Sequence, residues 1–173
     1  MQLQAHPQRI LLPAQASFIV LTLALGLLFD LLPWGNIAVV PDLTATVLAF
    51  WCIHQPRRVG IGIAWTLGLL LDVGNGALLG QHALGYSVLA FLAFALHRRI
   101  LWFPPWQQAL HILLLLLSTQ MLTLVIRIAA GGGFPGWTYF AGNLICAALW
   151  PVLSFLLLLP QQRPETIDEN RPI

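Results

Sequence analysis

Six apolar runs follow one another along this chain, and short breakers of Pro, Gly or paired Arg are almost all that separates them. They cover residues 10–32, 37–53, 59–73, 78–96, 106–130 and 137–159. The breakers are Pro33-Trp34-Gly35-Asn36, His54-Gln55-Pro56-Arg57-Arg58, Gly74-Asn75-Gly76, His97-Arg98-Arg99, Pro104-Pro105 and the glycine-rich residues 131–136. A helix needs about 20 apolar residues to cross a bilayer, so six would use roughly 120. In a chain of 173 that leaves no room for a sizeable soluble domain.

Composition points the same way. Hydrophobic residues make up 58% and charged residues 8%, against about 25% charged in an ordinary soluble domain. The expectation is an all-α integral membrane protein, a compact bundle of six transmembrane helices over residues 1–160. A polar cytoplasmic tail at 161–173 follows. A fused ATPase, kinase or large periplasmic enzyme is excluded by length. All eight basic side chains are Arg, too few and too scattered for a nucleic-acid surface. Cys52 and Cys146 lie inside apolar runs, where free Cys acts as a small hydrophobe.

The Arg residues orient the bundle. With six spans, the N-terminus, the second and fourth loops and the tail share one side and hold Arg9, Arg57, Arg58, Arg98, Arg99, Arg163 and Arg171. The opposite loops hold none. The positive-inside rule puts both termini in the cytoplasm. The first run lacks a small-residue cleavage site and reads as a retained span. Trp34 and Trp137 then fall at the outer interface, Trp51, Trp102 and Trp106 at the inner one, and Trp65 and Trp150 nearer the middle. Trp150-Pro151 is expected to kink the sixth helix.

Embedded charges form a candidate polar cluster in the outer leaflet: Asp30, Asp42, Asp72 and Arg127. Ionisable groups at membrane depth cost about 2.5–3.5 kcal/mol each, which makes them functional candidates. One guanidinium among three carboxylates suggests an Arg127–Asp72 or Arg127–Asp42 pair, with the rest solvated or sharing a proton. The bland alternative is a structural pair plus wetted helix ends. Gly60, Ala64, Gly68 and Asp72 recur every four residues on the third run, a stripe where a second backbone can approach, from this bundle or from a partner. Gly76 and Gly80 mark a tight outer turn. Ser118, Thr119, Gln120, Thr123 and Asn143 are expected to bond across helices, or to line a small cavity.

No catalytic set emerges. The five His show no metal-binding spacing and no serine sits in a nucleophile elbow. His82 lies within reach of Asp72 across the outer turn, but a His–Asp pair without a nucleophile is not a triad. No enzyme activity, metal or cofactor is expected.

The segment GLLLDVGNGALLGQHALGYSVLAFLAFAL, led by Gln55-Pro56-Arg57-Arg58-Val59-Gly60, closely resembles the family of the rod shape-determining membrane protein MreD. So do Pro41-Asp42-Leu43, Trp106-Gln107-Gln108-Ala109-Leu110 and Leu149-Trp150-Pro151, and the likeness runs essentially the whole length. The Trp-Gln-Gln and Trp-Pro signatures resemble the proteobacterial branch. The resemblance implies a non-enzymatic, multi-pass component of the cell-elongation machinery in the bacterial inner membrane. Its partners would be a bitopic MreC-like protein, with MreB, RodA and penicillin-binding protein 2 as further candidates, and membrane lipids. It also implies a fold like the S-components of energy-coupling-factor transporters. The expected role is a scaffold whose Gly60–Gly68 stripe, or an adjoining groove, receives a partner helix. A transporter-like binder of a small ligand is the alternative.

Overall fold

The computed structural model describes residues 14–35 and 39–161. The expectations for Arg9, Arg163, Arg171 and the polar tail lie outside them. Among the described residues the regular structure is entirely helical: α1 (Ala16–Asp30), α2 (Leu43–His54), α3 (Ile61–Gly74), α4 (Gln81–Leu101), α5 (Pro105–Ala129) and α6 (Ala141–Leu158). Single 3-10 turns, Trp137–Phe140 and Leu159–Gln161, bracket α6.

The breakers act where simple stereochemistry says they should. Gln55 closes α2 just before Pro56, since a residue preceding proline is pushed out of the helical region. Pro105 opens α5 at its first position, where its missing N–H is not needed. Several boundaries depart from the sequence expectation, α1 beginning only at Ala16, α4 at Gln81 and α6 at Ala141, and two departures have a plain cause. The second run turns helical only at Leu43, because Asp42 caps the helix there instead of lying one turn inside it. The fourth helix continues past His97 to Leu101, so Arg98 and Arg99 ride on its last turn, where positive charge offsets the helix dipole.

Successive helices run antiparallel. The most extensive packing is α3 on α4, followed by α4 on α5, α5 on α6, α2 on α4 and α1 on α2. Residues 44–53 of α2 are all buried, which makes this short helix the axis of the bundle. Trp51, Phe50, Tyr86 and Trp150 are the largest fully buried side chains. Phe50 meets the Trp51 ring edge-on at 5.0 Å, and the Trp51 indole N–H donates to Thr22 Oγ1 at 2.9 Å. Trp51 is therefore a core residue tying α2 to α1, not the interfacial anchor expected from its place in the sequence. Trp102 and Trp137 are the opposite, 90% and 82% exposed.

Every helix but α2 turns large apolar side chains outward, among them Val20, Leu70, Phe91, Leu114 and Phe155. Soluble proteins do not tolerate so continuous an apolar exterior. Three helical segments, Gln81–Leu101, Pro105–Ala129 and Trp137–Gln161, are long and apolar enough to cross a membrane. Helices α1, α2 and α3 are apolar but shorter.

Candidate functional site

At one end of the bundle the starts of α2, α4 and α6 meet the ends of α1, α3 and α5, and the three carboxylates all lie there. Each is explained first by helix termini. The opening amides of a helix have no partner within it and carry partial positive charge. Asp30, the last residue of α1, reaches across to α2 and accepts from the Leu43 amide at 3.2 Å and the Thr44 amide at 2.7 Å. Asp42 accepts from the Ala45 amide at 2.8 Å through the same oxygen that receives the Tyr86 hydroxyl, also at 2.8 Å. Two carboxylates from different helices thus satisfy the first three amides of α2.

Asp72 does the same for α4, and it is fully buried. One oxygen accepts from the His82 amide at 2.9 Å and from the His82 Nδ1 at 2.7 Å; the other accepts from the Gly80 amide at 2.9 Å. Gly80 sits at φ +95°, a left-handed conformation that any side chain would strain, and this aims its amide at the carboxylate. The His82–Asp72 approach foreseen across the turn is present.

Arg127 is not brought to either Asp. Asp72 is engaged with His82 and the α4 amides, Asp42 with Tyr86 and α2, and among the described residues no ion pair reaches Arg127. Its side chain instead lies over Gly132 at the exposed end of α5. The expected Arg127–Asp pairing is corrected on this point: helix capping takes the carboxylates before the guanidinium reaches them.

The glycine stripe divides in two. Ala64 and Gly68 are buried, and a Cβ on Gly68 would stand 2.5 Å from the Ala83 Cα and amide nitrogen, so α4 of the same chain fills that groove. It is therefore not open to a partner at Gly68. Gly60, Gly76 and Gly80 face open space.

Behind the carboxylates lies a cavity of about 410 Å³, walled by Asp30, Asp42, Tyr86, Gln120, Tyr139 and Asn143 among others. The α5 and α6 polar groups do both things expected of them. The Asn143 amide donates to Gln120 Oε1 at 2.6 Å, and the Gln120 amide to the Tyr139 carbonyl at 2.7 Å, while Thr119 and Thr123 join the cavity wall. Ser118 is exposed and bonds only to the Leu115 carbonyl of its own helix. Sequence patterning does not single out Tyr86 or Tyr139. Tyr86 carried a signal, since it falls four residues after His82 and shares its helix face. Tyr139, in an irregular turn, carried none.

At the opposite end, the Trp150 indole N–H donates to Gln108 Oε1 at 3.2 Å, and the Gln108 amide donates to the Phe103 carbonyl at 2.8 Å. This joins the Trp-Gln-Gln and Trp-Pro signatures in one buried bond. His54, His97 and His111 each bond a backbone oxygen of their own helix, as interfacial histidines do.

Comparison with known proteins shows the family. Residues 14–159, which hold all six helices, match the family described as rod shape-determining protein MreD. The rod shape-determining protein MreD of Haemophilus influenzae is 28% identical over 143 residues, covering 82% of this chain and 86% of that one. No solved structure matches the chain. With every helix inside the matched region, the chain belongs to the MreD family of rod shape-determining proteins.

Proposed function

We propose that this protein is a six-span scaffold of the bacterial inner membrane that maintains rod shape by docking the single transmembrane helix of an MreC-like partner. Family membership is the observation that carries the reading. In this arrangement, the S-component-like bundle implied by the resemblance, the end bearing Arg57, Arg58, Arg98 and Arg99 faces the cytoplasm with both termini, as the positive-inside rule requires. The Asp end faces the periplasm. Helix α2 has 12 residues, about 18 Å at 1.5 Å per residue, and is too short to cross alone. Residues 39–42 complete its path. Non-helical backbone is tolerated at membrane depth where protein covers it, and here Gly142 of α6 abuts the Val40 carbonyl.

With Gly68 filled from within, the partner helix lies along the outward face of α3, beginning near the open Gly60. Ile61, Ile63, Trp65, Leu70 and Val73 are exposed there, and α3 has only α4 as an extensive neighbour. The scaffold in turn supports peptidoglycan synthesis through the partner, with MreB, RodA and penicillin-binding protein 2 as further members of the assembly. The exposed Arg98 and Arg99 meet anionic lipid at the cytoplasmic surface. A tagged pull-down from native membranes tests this. Recovery of a bitopic MreC-like protein, reduced several-fold by Trp65→Ala with Leu70→Ala, is the expected result. Failure to recover any such protein overturns the reading, and unchanged recovery in the double variant moves the contact away from α3.

A further inference from the structure

Capping explains where the three carboxylates sit but not the space around them. Asp42 Oδ1 receives two donors, whereas Oδ2 receives no N–H and no tyrosine hydroxyl among the described residues, and the Asp30 carboxyl adjoins the group. Asn143 is only 3% exposed and lines the same cavity; its amide donates to Gln120, yet its own Oδ1 accepts nothing there. Two acceptors with spare capacity, one on the half-buried Asp42 and one on the buried Asn143, thus line one chamber.

A second cavity, of about 670 Å³, adjoins the first, and the two share Asn75, His82 and Tyr139 in their walls. Arg127 lines this second chamber and has no carboxylate partner among the described residues. Acceptors with spare capacity therefore face one chamber and an unpaired guanidinium the next. Leaving a carboxylate unmatched in a partly desolvated site is costly, and the exposed Arg127 is free to take an anion. Both volumes fall in the range of about 300–1,000 Å³ typical of small-ligand sites.

We infer that the two chambers together form a binding site for a zwitterion, its ammonium seated against Asp42 and Asn143 and its anionic group against Arg127. The ammonium supplies the N–H donors that Asp42 Oδ2 and Asn143 Oδ1 lack. Guanidinium pairs well with either phosphate or carboxylate. Two sources carry this chemistry: the head of a phosphoethanolamine lipid, entering past the exposed Leu32 and Leu78 at the chamber rims, or a free amino acid or short peptide. The site is independent of where a partner helix docks.

The test uses the full chain in detergent, with native mass spectrometry for co-purified lipid and calorimetric titration with soluble probes. Glycerophosphoethanolamine and dialanine are the zwitterions, and glycerophosphoglycerol, which lacks the ammonium, is the control. A retained phosphoethanolamine lipid, or saturable binding of glycerophosphoethanolamine alone, supports the site with a lipid source. Binding of dialanine supports it with a solute source. In either case Arg127→Gln and Asp42→Asn each weaken binding at least tenfold. Arg127 has no side-chain hydrogen bond or ion pair to lose among the described residues, and Asn is a good helix cap, so both variants keep the fold, as an unchanged melting temperature would show. Equal binding of the control, indifference to both substitutions, or no binding of either zwitterion by lipid-free protein overturns the inference.

Discussion

Asp72 on α3 and His82 on α4 are joined twice, once through the imidazole Nδ1 at 2.7 Å and once through the His82 backbone amide at 2.9 Å. With the Gly80 amide on its second oxygen, the carboxylate acts as the N-cap of a helix other than its own. Asp30 plays the same part for α2. The acidic end of the bundle is held together by carboxylates neutralising helix dipoles across the turn, with no Lys or Arg needed.

That account makes Asp72→Ala far more damaging than His82→Ala. The first orphans at least two partly buried amides at about 1–3 kcal/mol each, roughly 2–6 kcal/mol in all. The second removes one donor and costs about 1 kcal/mol. Thermal unfolding in detergent, with hydrogen exchange read at residues 80–83, distinguishes them. Equal losses would show that the imidazole contact, and not the cap, sets the stability of this turn.

Gly68→Ala is expected to cost about 1–3 kcal/mol, because its methyl would meet backbone of α4 that cannot move aside. The same change at Gly60 meets nothing within 4 Å and leaves stability unchanged. A melting comparison of the two variants suffices. If Gly68→Ala melts with the parent protein, α3 and α4 are not in the close approach described.

Gln108 and Trp150 invite a double-mutant cycle. Gln108→Leu and Trp150→Phe should be coupled by about 1 kcal/mol, the usual net worth of a buried neutral hydrogen bond. Strict additivity of the two losses would deny the bond.

Ser154 offers a substitution in the other direction. Its hydroxyl is buried on α6 and has no partner among the described residues. Replacing it by Ala removes a desolvated polar group and should raise stability by about 1 kcal/mol. A fall in melting temperature would place an unseen partner, such as a water, at that oxygen.

The number of helices and the approximate position of each were legible in the chain, since an apolar run between Pro, Gly and Arg breakers specifies a helix through bonds made within the run itself. Even the errors of register were local. Asp42 and Arg98 were read as breakers or insertions, where capping and the dipole make them helix-end residues. The small residues at Ala64 and Gly68 announced a close approach, but periodicity names a face and not the neighbour that covers it. Trp51 shows the same limit, because nothing along the chain says whether an indole meets lipid or Thr22.

What the sequence by itself determined was the all-helical class, the order of the six helices and the end at which the carboxylates gather. Only the tertiary structure decided their partners: Asp30 with α2, Asp72 with α4, Gln108 with Trp150, and Arg127 with none of the three acids among the described residues. The reason is physical. Helix formation is satisfied within a few residues, whereas a buried polar group takes whichever complementary atom the packing delivers, from tens of residues away.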